Sequence, residues 1–119
     1  MENQLILEAK DLGSIIIRLE PAISPLTYSR LSKSLPTRIN AIKYGQIILM
    51  PIDLGTINEG KRTNLRPYEI GYWVKKRSLI IALNNVELGE PINVIGYVIS
   101  GTELLNKLNG GYPLRISMR

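Results

Sequence analysis

Apolar residues recur with a period of two along most of this chain, and only two short segments carry the longer period of a helix. That imbalance limits the architecture more than any other feature of the sequence. Between Gln4 and Lys10, the residues Leu5, Leu7 and Ala9 share one face of an extended segment. After a turn at Asp11-Leu12-Gly13, Ile15, Ile17 and Leu19 alternate in the same way over Ser14 to Glu20, so the two segments read as a hairpin. Further strands are read at Arg38 to Tyr44, at Gln46 to Ile52 after a turn at Gly45, and at Tyr68 to Val74. Three more follow at Ser78 to Leu83, Asn93 to Ser100 and Leu114 to Met118. Helical spacing is confined to two places. Tyr28, Leu31 and Leu35 lie on one face of a segment introduced by Ser24-Pro25 and ended by Pro36, with the Ser24 oxygen as the expected cap. Leu104, Leu105 and Leu108 mark a second short helix over Gly101 to Leu108, stopped by Asn109-Gly110-Gly111.

Parallel strands need crossover connections, and two short helices cannot supply them for this many strands. The pattern therefore predicts a mainly β domain, a closed antiparallel barrel of about eight strands with two short helices sealing its open ends. At 119 residues the chain forms one domain, residues 1–119. Residues 53 to 67 read as a long loop that turns at Asn58-Glu59-Gly60, a stretch where functional contacts would sit.

The residue inventory excludes several chemistries. There is no cysteine, which removes disulfides, thiolate metal sites and cysteine nucleophiles, and no histidine, which removes the usual zinc ligands and the Ser/His/Asp triad. Neither a metal nor a cofactor is expected. The N-terminus lacks the basic region of a signal peptide, and no apolar run approaches the roughly 20 residues that span a bilayer. The expectation is a cytoplasmic protein without a membrane partner. The net charge of +5 raises the question of an anionic partner. The basic residues gather locally, as Lys61-Arg62 with Arg66 and as Lys75-Lys76-Arg77, without aromatics interleaved at a strand-face spacing. They read as solvated loop residues, so nucleic acid is not the expected partner. Glu87 and Glu90 flank Gly89 in a turn and read as solvated too, without the fixed separation that paired-carboxylate chemistry needs. Nothing in the sequence specifies an oligomeric state.

One extended resemblance adds to this reading. The run Asn93 to Leu108, with Gly96 and Gly101 five apart, resembles the cyclophilin segment in which a strand passes through a glycine and then a second glycine into a helix. The local physics agrees: Gly96 suits close backbone approach in a barrel strand, and Gly101 suits a turn into the helix. Tyr44-Gly45-Gln46-Ile47-Ile48, Glu69-Ile70-Gly71-Tyr72-Trp73 and the closing stretch Ile92 to Met118 are similar to the small bacterial and archaeal cyclophilin-like proteins. The matches cover most of the chain from about residue 36. The resemblance implies a cyclophilin-like barrel and a peptide or small molecule as ligand.

The isomerase motif of cyclophilins carries over only in part. The pocket tryptophan and histidine of that family fall on Glu87 and Ile92, and the chain has no phenylalanine, the residue that builds much of the usual proline pocket. Arg38 and Gln46 keep the separation of the family's arginine and glutamine, with Tyr44 at the methionine position between them. By resemblance they are the candidate catalytic pair. An arginine could stabilise the prolyl nitrogen as the amide twists, lowering a barrier of about 18–20 kcal/mol. An alignment through Tyr44-Gly45 gives Arg38 no such role. Tyr44, Met50, Tyr72 and Trp73 are the candidate ligand contacts, and alternation puts Tyr72 and Trp73 on opposite faces of their strand. The leading expectation is a binding module without conventional isomerase activity. A divergent peptidyl-prolyl isomerase is the alternative, and an anionic-polymer-binding protein using Lys61, Arg62, Lys75, Lys76 and Arg77 is the third.

Overall fold

The two alternating segments at the start of the chain form the expected hairpin in the structure, a computed structural model that describes residues 3–119. Strand β1 (Gln4–Ala9) pairs antiparallel with β2 (Gly13–Leu19), and helix α1 (Pro25–Ser34) follows. Next come β3 (Thr37–Tyr44), β4 (Ile47–Pro51), β5 (Asn64–Leu65), β6 (Glu69–Trp73), β7 (Ser78–Ala82) and β8 (Val86–Glu87). The chain ends with β9 (Asn93–Ser100), α2 (Thr102–Leu105) and β10 (Tyr112–Met118). Eight strands close into one barrel in the order β1-β10-β3-β4-β7-β6-β9-β2, every pair antiparallel, and β5 with β8 makes a separate two-stranded ribbon.

Three secondary-structure elements depart from the sequence reading. The second helix is one turn, Thr102–Leu105, and Leu108 is buried without being helical. The last strand begins at Tyr112, earlier than the alternation of Leu114 to Met118 indicates. The ribbon was not expected, because two-residue strands are too short to show a period.

The barrel interior is filled by the inward half of each strand, including Leu5, Leu7, Ile15, Ile17, Ile48, Met50, Ile70, Tyr72, Leu79 and Ile81. Leu31 of α1 plugs one end, and at the start of that helix the Ser24 hydroxyl donates to the Val94 carbonyl at 2.9 Å. Leu104, Leu105 and Leu108 close the other end. A second apolar cluster lies outside the barrel wall, where Leu65 and the ribbon's Val86 cover Ile47, Ile80, Ala82, Ile92 and Val94. This explains why β7 reads Ser-Leu-Ile-Ile-Ala without polar alternation: it is covered on both faces.

Gly96 has the role its sequence position suggests. A Cβ there would fall inside the van der Waals shell of the Arg18 carbonyl oxygen, with the carbonyl carbon at 3.0 Å and Leu19 Cα at 3.1 Å. The close approach of β9 to β2 requires a residue without a side chain. Gly101 turns the chain into α2 at φ 87°, in the left-handed region.

Helix α1 is capped from a distance. The Ser24 side chain makes no cap hydrogen bond to the helix. Glu59, in the loop after β4, takes its place: it accepts from Leu26 N–H at 2.8 Å, from Thr27 N–H at 2.8 Å and from the Thr27 hydroxyl at 2.6 Å. Asn93 ties the assembly to β9 by donating to Thr27 Oγ1 at 2.9 Å and to the Ile57 carbonyl at 2.8 Å. Burial pushes the Glu59 carboxyl up, but the hydrogen bonds from Thr27 and Leu26 outweigh it and hold the group below its ordinary value.

Candidate functional site

The outward face of β3 changes character along its length. It starts with Arg38 and Asn40 and ends with Ile42 and Tyr44, which are 40% and 72% exposed. Ile42 lies opposite Leu49 on β4. These side chains stand beside the region that the ribbon covers, so the apolar surface continues past its lid. Ile42, Tyr44, Leu49, Trp73 and Lys76 line a groove of about 380 Å³ across this part of the wall.

One side of the groove is rigidly held. The Trp73 indole N–H donates to Glu90 at 2.9 Å, and Glu90 pairs with Lys75 at 2.7 Å. The Lys75 ammonium holds the Glu90 carboxyl below its ordinary value; burial works against this and the indole adds to it. The same hydrogen bond raises the Lys75 ammonium above its ordinary value. Lys76 Nζ sits 5.8 Å from the centre of the Trp73 ring. A fixed indole, two exposed apolar side chains and one cation can hold an apolar group with a polar edge.

Two of the sequence-predicted contacts, Tyr44 and Trp73, meet in this groove. The other two do not. Met50 is fully buried in the barrel interior, because it alternates with the outward Leu49. Tyr72 also points inward; its hydroxyl donates to the Ile52 carbonyl at 2.7 Å and accepts from Leu54 N–H at 3.1 Å. Burial pushes its phenol above the ordinary value. The edge of Tyr72 reaches a separate polar cleft of about 510 Å³ with Asp53, Thr56, Lys75 and Arg77. Met50 and Tyr72 therefore do not line the groove.

The proposed catalytic pair is not assembled. Tyr44 pairs with Ile47, which leaves Gln46 in the tight turn between β3 and β4. Arg38 stands six residues before Tyr44 along β3, roughly 20 Å from the turn at the rise of an extended strand. It pairs across the sheet with Arg115 on β10. Eight residues of separation bring two side chains together only if the hairpin turn falls midway, and here it falls beside Gln46.

Ile42 and Leu49 are not among the sequence candidates, and Lys76 is one only as part of a basic run. The available signal was the switch from polar to apolar on the outward face of β3. Half of the six cations in the basic clusters have acidic partners within the described chain. Arg62 pairs with Glu69, Lys75 with Glu90, and Arg77 lies 3.9 Å from Asp53. Among the described residues, no helix is long and apolar enough to cross a membrane.

A closed eight-stranded antiparallel barrel with a short helix at each end defines a cyclophilin-like fold, and solved structures share it. A hypothetical protein from Archaeoglobus fulgidus, known from a solution structure, superposes with a TM-score of 0.80 at 15% identity, covering 98% of this chain and 94% of that one. A cyclophilin-type peptidyl-prolyl cis-trans isomerase from Cryptosporidium parvum, crystallised in the presence of the dipeptide Ala-Pro, gives 0.65 at 16% identity, covering 98% of both chains. A crystal structure of the same isomerase gives 0.63 at 16% identity and the same coverage. No protein-family model and no curated protein matches the chain.

Proposed function

We propose that this protein is a cyclophilin-like binding module that takes a peptide, or a small ligand of comparable size, in the groove between Tyr44 and Trp73, without conventional prolyl isomerase activity. The observation that carries this reading is Tyr44, a large aromatic 72% exposed beside Ile42 and facing the same groove as an indole fixed by Glu90. The volume falls in the range of about 300–1,000 Å³ typical of small-ligand sites. The shape likeness to an isomerase crystallised with Ala-Pro favours a proline-containing peptide as the first ligand class to try. The separation of Arg38 and Gln46 along the β3–β4 hairpin supports the reading without conventional isomerase activity.

Two-dimensional NMR on a panel of Xaa-Pro peptides tests both halves of the proposal. Saturable shifts at Ile42, Tyr44, Leu49 and the Trp73 indole, without faster cis/trans exchange, are the expected result. Accelerated exchange lost on Arg38→Ala would restore the isomerase reading. No shift with any peptide would remove the peptide ligand class.

A further inference from the structure

Arg38 occupies an unusual position on the opposite flank of β3. Its cross-strand neighbour is another arginine, Arg115 on β10, and the neighbour of Arg115 on β1 is Glu8. Three outward residues thus form a row across β1, β10 and β3 with one carboxylate for two guanidinium groups. Glu8 reaches Arg115 at 3.4 Å. Among the described residues, no carboxylate lies within ion-pair distance of Arg38. Like charges directly opposite on neighbouring strands repel, with Cα atoms only about 4.5–5.5 Å apart. A third cation, Lys10, directly follows β1 and borders the same cleft.

These side chains border a cleft of about 310 Å³, lined by Glu8, Lys10, Arg38, Pro113, Leu114 and Arg115. Pro113 lies opposite Asn40, two residues before Arg115 and on the same face of β10. Lys10, Arg38 and Arg115 against Glu8 leave the cleft with two excess positive charges. Arg62, Lys75 and Arg77 each have a carboxylate within ion-pair distance, whereas Arg38 and Lys10, like Lys61 and Lys76, have none among the described residues. An exposed guanidinium presents a planar fork of N–H donors that matches the oxygens of phosphate.

We propose that this cleft is a binding site for a tetrahedral phosphate dianion, either free or as the terminal group of a monoester, held between Arg38 and Arg115 with Lys10 at the rim. The anion relieves the repulsion between the two arginines and supplies the acceptors that Arg38 lacks. This site is separate from the apolar groove and does not depend on the peptide reading. Arg38 and Arg115 are both exposed, so replacing them leaves the barrel intact.

The test is titration of the full chain with inorganic phosphate, followed by amide NMR, against chloride at matched ionic strength. Saturable shifts centred on residues 8–10, 38–40 and 113–115 are expected, together with a rise in melting temperature that chloride does not reproduce. Arg38→Gln or Arg115→Gln should weaken binding by about tenfold, as loss of a charge-assisted contact does. Tyr44→Ala should leave it unchanged. Titration with O-phosphoserine separates the sources: equal affinity identifies the phosphate group itself as the ligand, and tighter binding identifies a monoester. Shifts that chloride matches, or that persist in the double variant Arg38→Gln/Arg115→Gln, would overturn the proposal.

Discussion

Replacing Glu59 by alanine removes both acceptor oxygens that serve the first turn of α1. The effect can be worked out contact by contact. Leu26 is 37% exposed, so water replaces the carboxylate at its N–H and little is lost there. Thr27 is fully buried, and its N–H is left without its acceptor, while its hydroxyl keeps Thr56 at 3.1 Å and Asn93 at 2.9 Å. A stranded buried N–H costs about 1–3 kcal/mol, and a lost helix cap costs about 0.5–2 kcal/mol. The two descriptions overlap, so about 2 kcal/mol is the expected loss. For 119 residues the unfolding entropy is about 0.25 kcal/mol per kelvin, which converts that loss to a fall of about 8 °C in melting temperature. The sign with pH follows from the lowered pKa of Glu59 in the folded state. Its contribution is fully present above the ordinary value of 4.5 and is lost as pH falls through the lower folded value. Scanning calorimetry of both proteins at neutral pH and in acid should therefore show a gap that narrows on acidification. A neutral-pH difference below about 2 °C, or a gap that widens in acid, would refute this account of the cap.

Other substitutions separate packing from binding. Gly96→Ala forces a Cβ against the Arg18 carbonyl and should cost about 3 kcal/mol or more, or prevent folding, as read from denaturant unfolding. Tyr72→Phe leaves Leu54 N–H without its acceptor and should cost about 1–2 kcal/mol; an unchanged midpoint would mean that the hydroxyl is not structural. Tyr44→Ala should leave stability within about 0.5 kcal/mol because the side chain is exposed. It should weaken a groove-bound peptide by about tenfold, followed by the fluorescence of Trp73, the single tryptophan; equal affinity would place the ligand elsewhere.

The shape of the molecule was legible from local pattern. Alternation at Leu5, Leu7 and Ala9 and at Ile15 and Ile17 placed the first hairpin, and Gly96 and Gly101 marked a close approach and a turn that the structure contains. Trp73 and Tyr72 fell on opposite faces for the same reason of period two. The groove was half visible: Tyr44 and Trp73 were singled out, but so were Met50 and Tyr72, which alternation alone cannot assign to the inside or the outside until the sheet has closed.

What the sequence determined by itself was whatever depends on neighbours along the chain: strand period, the limits of α1, turn glycines and the lack of histidine and cysteine side chains. Only the tertiary structure decided contacts between distant residues. It moved the cap of α1 from Ser24 to Glu59, placed the turn of the β3–β4 hairpin beside Gln46 so that Arg38 stands apart from it, and set Arg38 opposite Arg115. Pairing register across the barrel is set by closure of all eight strands together, and a shift of one residue exchanges inside for outside. A local pattern carries the period of a strand but not its register, which is why the barrel could be read from the sequence and its groove only in part.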